Sequence, residues 1–383
     1  MGALCAAVAG LGFMGITHIE ALRRMGVKVV GVLGIDRAEG QSASDRLGIP
    51  RVYGDIEELV SDPAVQVVHI CTPNHLHAPM AMAALGAGKH VICEKPLAIN
   101  SQESGQLTRL AAKSGLVAVV NHNLRYYPLC HEAHARVQSR EIGDVRLVHG
   151  EYCQDWLFLP TDWNWRLEPE LGGTARAVAD IGSHWLDMIT WITGLRVTAV
   201  MADLATMVPK RIKPAKEVET FAGKLTRAEG GEEVEVRTED YAAVLLRLEG
   251  GARGSFLVSQ VSAGRKNHFW WEVNGSKASL SWDQERPNEL WLGHRERPNE
   301  LLLKDPSLMH PDARRVAGYP GGHAEGYPDT FLQLNRAVYG YLREGDLSGP
   351  RQFPTFEDGH RMIRLCDDIL ASAREQRWVE ISD

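Results

Sequence analysis

The first 125 residues alternate short, almost unbroken apolar runs with stretches of helical periodicity. Residues 4–9, 27–33, 67–71, 90–93 and 116–120 read as strands. Between the first two, residues 15–25 place Ile19, Leu22 and Met25 on one helical face, and residues 79–87 form a further helix. Strands that are apolar on both faces predict a parallel sheet covered by helices on each side. Beyond Asp180 the rhythm changes. A strong helix over 182–192 gives way to β-rich segments at 241–248, 252–260, 269–274 and 278–282, joined by turns such as Gly250-Gly251 and Gly275-Ser276. These predict a hairpin-built, mostly antiparallel sheet. The charged stretch 209–240 reads as a surface excursion, and a closing helix over 356–376 carries Met362, Ile363, Cys366 and Ile369 on its apolar face.

Composition narrows the class. A chain of 383 residues with 44% hydrophobic and 24% charged residues fits two folded domains, set here at 1–125 and 126–383. The last helix is expected to pack back on the first domain. The net charge of −7 provides no positive field for nucleic acid or an anionic membrane, so neither partner is expected. Six cysteines lack CxxC spacing, and the apolar start is broken by glycines without a basic leader, which predicts a cytoplasmic protein.

Gly10-Leu11-Gly12-Phe13-Met14-Gly15 falls between the first strand and the first helix. In that context GxGxxG has a mechanism. Gly10 makes the tight turn, Gly12 lets backbone approach a pyrophosphate, Gly15 lets helix and strand pack, and the loop with Phe13 and Met14 offers N–H groups to the anion. The reading is α/β: an N-terminal Rossmann dinucleotide-binding domain plus a C-terminal α+β domain with a large, mostly antiparallel open sheet. At the end of the second strand, Asp36 suits the ribose of NAD, whereas Gly34 with Arg37 suits the extra phosphate of NADP. The cofactor is therefore NAD or NADP.

Three more segments carry a specific resemblance. Thr72-Pro73-Asn74-His75-Leu76-His77 follows the third strand, Glu94-Lys95-Pro96 the fourth, and Asp180-Ile181-Gly182-Ser183-His184-Trp185-Leu186-Asp187 opens the later helix. With the glycine loop, in this order over nearly the whole chain, they resemble the Gfo/Idh/MocA family of NAD(P)-dependent oxidoreductases, which includes glucose-fructose oxidoreductase and inositol dehydrogenases. The resemblance implies Lys95, Asp180 and His184 as the catalytic set. Oxidising a secondary alcohol needs a base for the hydroxyl proton and a cation on the same oxygen while hydride leaves for nicotinamide. His184 is the expected acid/base, Lys95 the polarising group and Asp180 the orienter, with the ammonium and imidazole expected to converge on one hydroxyl. Asp180 and His184, four apart, are expected on one helical face.

The resemblance further implies cofactor contacts from Thr72, Asn74, His77, Glu94, Lys95, Trp165 and Arg166, and an often cis Lys95–Pro96 peptide. Lys95, Arg125, Asp180, His184, Tyr152 and His323 are the expected substrate-binding residues, with Gln154, Asp155, Trp156, Glu325 and Tyr327 as further wall candidates and Asp187 as substrate ligand or salt-bridge partner. No metal is expected at His75 and His77, nor at His131 and His134, which lack a carboxylate partner. The function implied is a dehydrogenase for a sugar, glycoside or cyclitol hydroxyl. The alternatives are a redox-assisted glycoside hydrolase, which oxidises C3 transiently and eliminates the aglycone, and a non-catalytic NAD(P)-sensing regulator. A homodimer or homotetramer through the C-terminal sheet is expected.

Overall fold

The computed structural model describes residues 4–215 and 230–381. The chain forms two compact units that are not consecutive halves. The first runs to Asn123 and adds Glu170–Thr174 and Thr330–Arg364; the second takes Leu124–Pro169, Ala175–Asp329 and the chain from Leu365 onward.

The first unit is a doubly wound sheet. Strands β1 (Cys5–Ala9), β2 (Lys28–Leu33), β3 (Val67–Ile70), β4 (His90–Cys93) and β5 (Ala118–Val120) are all parallel, in the order β2-β1-β3-β4-β5. The predicted strands are there, trimmed by a residue or two at some ends. Strand order reverses beside β1, and the crevice outside the strand carboxyl ends at such a switch point is where ligands bind. Val68, Ile70, Val91 and Val120 pack with Ala78, Ala81 and Leu107 from the covering helices. Phe356, which begins the closing helix Phe356–Glu375, enters the same core, and Gly359 lies so close to Leu97 that a Cβ would stand 3.0 Å from it.

The second unit is built on a nine-stranded sheet. Its strands are β6 (Val145–Cys153), β7 (Val197–Ala205), β10 (Tyr241–Leu248), β11 (Arg253–Ser259), β12 (His268–Gly275), β13 (Ser279–Asp283), β14 (Glu289–Gly293), β15 (Glu300–Leu303) and β16 (Val379–Glu380). Their order is β15-β14-β13-β12-β6-β11-β10-β7-β16, antiparallel except where β11 runs beside β6. Two strands of the predicted surface excursion, β8 (Lys210–Lys213) and β9 (Glu232–Glu235), pair antiparallel as a separate sheet, and residues 216–229 lie outside the described residues; the surface reading is corrected at Arg211, Val236, Glu239 and Asp240, which are buried. Alternation fixes the faces. Val148, Phe256, Phe269, Trp271 and Trp282 point to the helix-covered side, where Trp185 stacks on Phe256 at 4.7 Å. Leu147, Leu245 and Trp270 fall on the other side. Among the described residues no helix is long and apolar enough to cross a membrane.

Candidate active site

The glycine loop separates two kinds of demand for glycine. Gly10 has φ +90°, and a Cβ there would stand 2.5 Å from the Cys71 carbonyl oxygen; a Cβ on Gly15 would stand 1.9 Å from the Gly10 carbonyl. Those two positions need glycine for the fold. Gly12 has an ordinary φ of −68°, and beyond its own chain neighbours a Cβ there would come within 4 Å of nothing among the described residues. The space it leaves is therefore space for a ligand. The helix that follows, Phe13–Arg24, starts without a side-chain cap and with no acidic residue in its first turn. The helices Arg37–Leu47, Ile56–Ser61 and Ser101–Ser114 are instead capped by Asp36, Asp55 and Asn100, which accept the N–H groups of Glu39, Glu58 and Glu103. An uncapped helix start beside an open glycine fits a pyrophosphate.

At the end of β2, Asp36 uses one carboxylate oxygen to accept the Glu39 N–H at 2.8 Å. The Glu39 carboxylate accepts the Ile35 N–H at 2.7 Å and fills the space beside Gly34, where a Cβ would meet it at 2.8 Å. Arg37 points to Glu58 at 3.1 Å. Gly34 and Arg37 thus open no positive pocket; two carboxylates border the place where a ribose would lie.

Around Lys95, buried polar groups hold the backbone. The Lys95–Pro96 peptide is cis. The Glu94 carboxylate accepts the Asn121 amide at 2.6 Å and the Lys95 N–H at 3.2 Å, and meets His18 Nε2 at 3.1 Å. Burial would push the Glu94 carboxyl up, but His18, Lys95 and Asn121 together hold it below the usual carboxylate range. The chain continues inward: His18 Nδ1 stands 2.9 Å from His69 Nδ1, and His69 Nε2 3.0 Å from the Tyr339 hydroxyl. His77 ties the turn after β3 to the lysine turn, its ring nitrogens 2.7 Å from the Pro96 carbonyl and 2.8 Å from that of Thr72. Asn74 donates to the Gly172 carbonyl at 2.8 Å. Glu94, His77 and Asn74, expected at the cofactor, are buried and make these contacts among the loops that follow the parallel strands.

In the second unit Asp180 lies in a wide helical turn, Val178–Gly182, closed by a Ser183 N–H to Val178 carbonyl bond five residues back, before the regular helix Ser183–Thr193 begins. The helix expected over 182–192 thus begins at Ser183, and a π-type turn that holds Asp180 precedes it, a form that recurs at functional sites. Its start is fixed by Glu239, which accepts the Arg176 and Val178 N–H groups at 2.8 and 2.9 Å. Asp180 accepts the Gln260 amide at 2.9 Å and pairs with Arg166 Nε at 3.3 Å. Arg166 lies over the Trp165 ring at 4.3 Å. The Tyr152 ring stands 6.2 Å from that of His184, and its hydroxyl donates to Asn267 at 2.8 Å. Burial, with the nearby Asp180 charge, holds the Tyr152 hydroxyl well above its usual range and so protonated. Gln154 donates to the same Asn267 oxygen and accepts from Trp156.

Other expected wall residues make contacts of their own. Arg125 is engaged by Asp187, its Nε 2.8 Å from one oxygen and Nη2 on the other, both buried. Glu325 is buried against Lys304 at 2.8 Å, Asp155 pairs with Lys266 at 2.6 Å, and His323 is exposed on its loop. His131 and His134 pack on Trp191. His18, Gln260 and Asn267 escaped the sequence reading. His18 had one available signal, a polar residue on the buried face of an amphipathic helix; the other two belong to no motif and gain their positions from strand pairing.

Two family models match this chain: an oxidoreductase family with an NAD-binding Rossmann fold over residues 4–122, and a GFO/IDH/MocA C-terminal domain over 130–281. Levoglucosan dehydrogenase of Pseudarthrobacter phenanthrenivorans is 29% identical over 389 residues, 97% of this chain and 96% of that protein. The solved structure of levoglucosan dehydrogenase with NADH and L-sorbose aligns over all of both chains with a TM-score of 0.89 at 28% identity. An oxidoreductase domain protein from Kribbella flavida aligns over all of both chains with a TM-score of 0.89 at 31% identity.

Proposed function

Because the chain belongs to the GFO/IDH/MocA family of oxidoreductases, with an NAD-binding Rossmann domain ahead of that family's C-terminal domain, we propose that it is an NAD-dependent dehydrogenase oxidising a secondary hydroxyl of a sugar, glycoside or cyclitol. The observation that carries this reading is the polar set of the second unit. A carboxylate that accepts from Gln260 and pairs with Arg166, an imidazole and a protonated phenol belong to this unit, groups with which a polyhydroxylated substrate would exchange water for protein partners. Relatives named for levoglucosan and 1,5-anhydro-D-fructose support the substrate class.

Bound NAD⁺ supplies the hydride acceptor. In this reading His184 is the base for the hydroxyl proton, Lys95 the polarising cation, and Asp180, restrained by Gln260 and Arg166, the group that orients the imidazole. Glu94 and His77 act through the backbone of the Lys95–Pro96 turn. The carboxylates of Asp36 and Glu39 favour a ribose diol over a ribose phosphate, so NADH is expected to bind at least about tenfold more tightly than NADPH. The free cysteines suit a reducing cytoplasm.

Exposed Leu147 and Leu245, on the sheet face that carries Trp270, support a homo-oligomer. Light scattering that finds only monomer at micromolar concentration refutes it.

The test is a panel of sugars, anhydrosugars and cyclitols with NAD⁺ or NADP⁺, read as absorbance at the reduced nicotinamide. Lys95→Met and His184→Ala are expected to lower kcat by about 10²–10⁴, the latter with NADH binding retained. Turnover that survives either change rejects the assignment. Release of an aryl aglycone on trace NAD⁺ without net NADH would move the reading to redox-assisted hydrolysis.

A further inference from the structure

On the sheet face away from the helices, four side chains gather that the dehydrogenase reading does not use. His268 begins β12, Glu151 lies on neighbouring β6, Asp283 ends β13, and Glu285 sits in the turn that follows. His268 is 7% exposed. Its Nε2 stands 2.9 Å from Glu151 Oε1. A carboxylate only accepts, so Nε2 carries the proton and, in a neutral ring, Nδ1 carries the lone pair. Nδ1 makes no hydrogen bond; it faces Asp283 Oδ1 at 3.4 Å and Glu285 Oε2 at 3.5 Å. One lone pair and two carboxylate oxygens turned toward each other repel unless positive charge lies among them.

The spacing is that of a coordination shell. Ligand atoms bonded at about 2.0–2.2 Å in tetrahedral geometry lie about 3.3–3.6 Å apart. The three atoms all fall within 4.8 Å of one another, so a small closing of the exposed Glu285 arm completes the set. We propose that His268 Nδ1, Asp283 and Glu285 bind a divalent cation of the zinc class, with Glu151 as the outer carboxylate that fixes the imidazole tautomer. The arrangement of histidine donating its far nitrogen to a carboxylate is the usual support for a metal-bound imidazole. Asp283 Oδ1 also accepts the Glu285 N–H at 2.8 Å, which sets the turn that brings the second carboxylate round. One nitrogen and two oxygens favour zinc or a similar ion over magnesium or calcium. Bound there, the ion ties the turn after β13 to the start of β12. Sequence spacing gives little hint of the site, since the histidine and the two carboxylates come from different strands.

Two other cations compete for the same carboxylates. Arg265 Nη1 lies 3.5 Å from Glu285 Oε2, and His268 itself neutralises the cluster if both its nitrogens are protonated. Zinc chloride titrated by calorimetry into the chelator-stripped full chain at pH 7.5 separates these. Expected is saturable binding of about one ion per chain at a Kd of about 10 μM or tighter, weakened at least about 100-fold by His268→Ala and about 10–100-fold by Glu151→Gln. Asp283→Asn provides a second ligand variant should His268→Ala fail to fold, and NADH binding is expected to stay unchanged in all three. Nitrogen-15 spectra of the histidines are expected to show zinc displacing any proton on His268 Nδ1. Absence of saturable binding, binding that survives both ligand substitutions, or a His268 that stays doubly protonated in excess zinc overturns the proposal.

Discussion

The glycine loop of the first unit and the surroundings of Asp180 in the second reach precision by different routes. The loop uses six consecutive residues, and its main parts are backbone: a left-handed turn at Gly10, an open face at Gly12 and a close packing at Gly15. Asp180 instead takes its partners from far along the chain, Arg166 before it and Gln260 eighty residues after it, delivered by the end of β11. A site made of backbone is specified where it stands. A site made of side chains is specified by the strand order that gathers them, and its members are replaceable in chemistry but not in position.

The largest expected effect tests the first half of that contrast. Gly15→Ala puts a Cβ 1.9 Å from a carbonyl oxygen that cannot move away, so the unit is expected to lose its fold or to melt at least about 10 °C lower. Gly12→Ala is the sharper case. It meets no protein atom and has an ordinary φ, so its melting temperature is expected within about 2 °C of the parent, while NADH binding weakens at least about tenfold because the methyl stands where the pyrophosphate would approach. Fluorescence titration of NADH and a thermal melt on the same samples decide it. An alanine at Gly12 that binds NADH as the parent does would break the distinction between structural and ligand-facing glycine.

Next comes the side-chain route. Gln260→Leu removes the hydrogen bond that the Gln260 amide donates to Asp180 and leaves the ion pair with Arg166 in place. A hydrogen bond to a charged group is worth about 1.5–3 kcal/mol, so kcat is expected to fall about 10–100-fold with NADH affinity unchanged. An equal loss in both would mean that Gln260 supports the unit as a whole instead of orienting one carboxylate.

How much of this was legible follows the same division. The parallel strands, the glycine loop and the Lys95 and His184 segments could be read because each is a local pattern: an apolar run, a turn, a motif ahead of a helix. The π-type turn at Val178–Gly182 could not, since apolar periodicity does not register one hydrogen bond shifted from four residues to five. Asp187 read equally as substrate ligand or salt-bridge partner, and only the fold reveals that its partner is Arg125. His18 and Gln260 acquire their roles solely through long-range neighbours. Asp36 shows a residue with two uses, since the carboxylate expected at a ribose also caps a helix; Asp36→Ala is expected to cost about 1 kcal/mol of stability besides changing nucleotide choice.

The smallest effect concerns acid stability, and each unit carries a group that reports on it. Burial, and next to it His18, push His69 well below its usual value of 6.5; burial and the neighbouring His134, Arg315 and Arg125 do the same to His131 in the second unit. Both stay neutral in the folded chain while the unfolded chain takes up the protons below pH 6.5. The unfolded state then binds more protons, so stability falls as pH drops, by about 1.4 kcal/mol per pH unit for each histidine once the unfolded form is fully titrated. Between pH 6.5 and 5.5 the loss is about 1 kcal/mol per group, read from urea melts at the two values. His69→Gln, which keeps a hydrogen-bonding group on the inward chain, is expected to flatten the dependence where the first unit limits unfolding and to leave it where the second does. An unaltered slope with the first unit limiting would mean that His69 is protonated in the folded state, with Glu94 as its charge partner through His18, and the buried chain behind Lys95 would then carry a positive charge inward instead of a neutral relay.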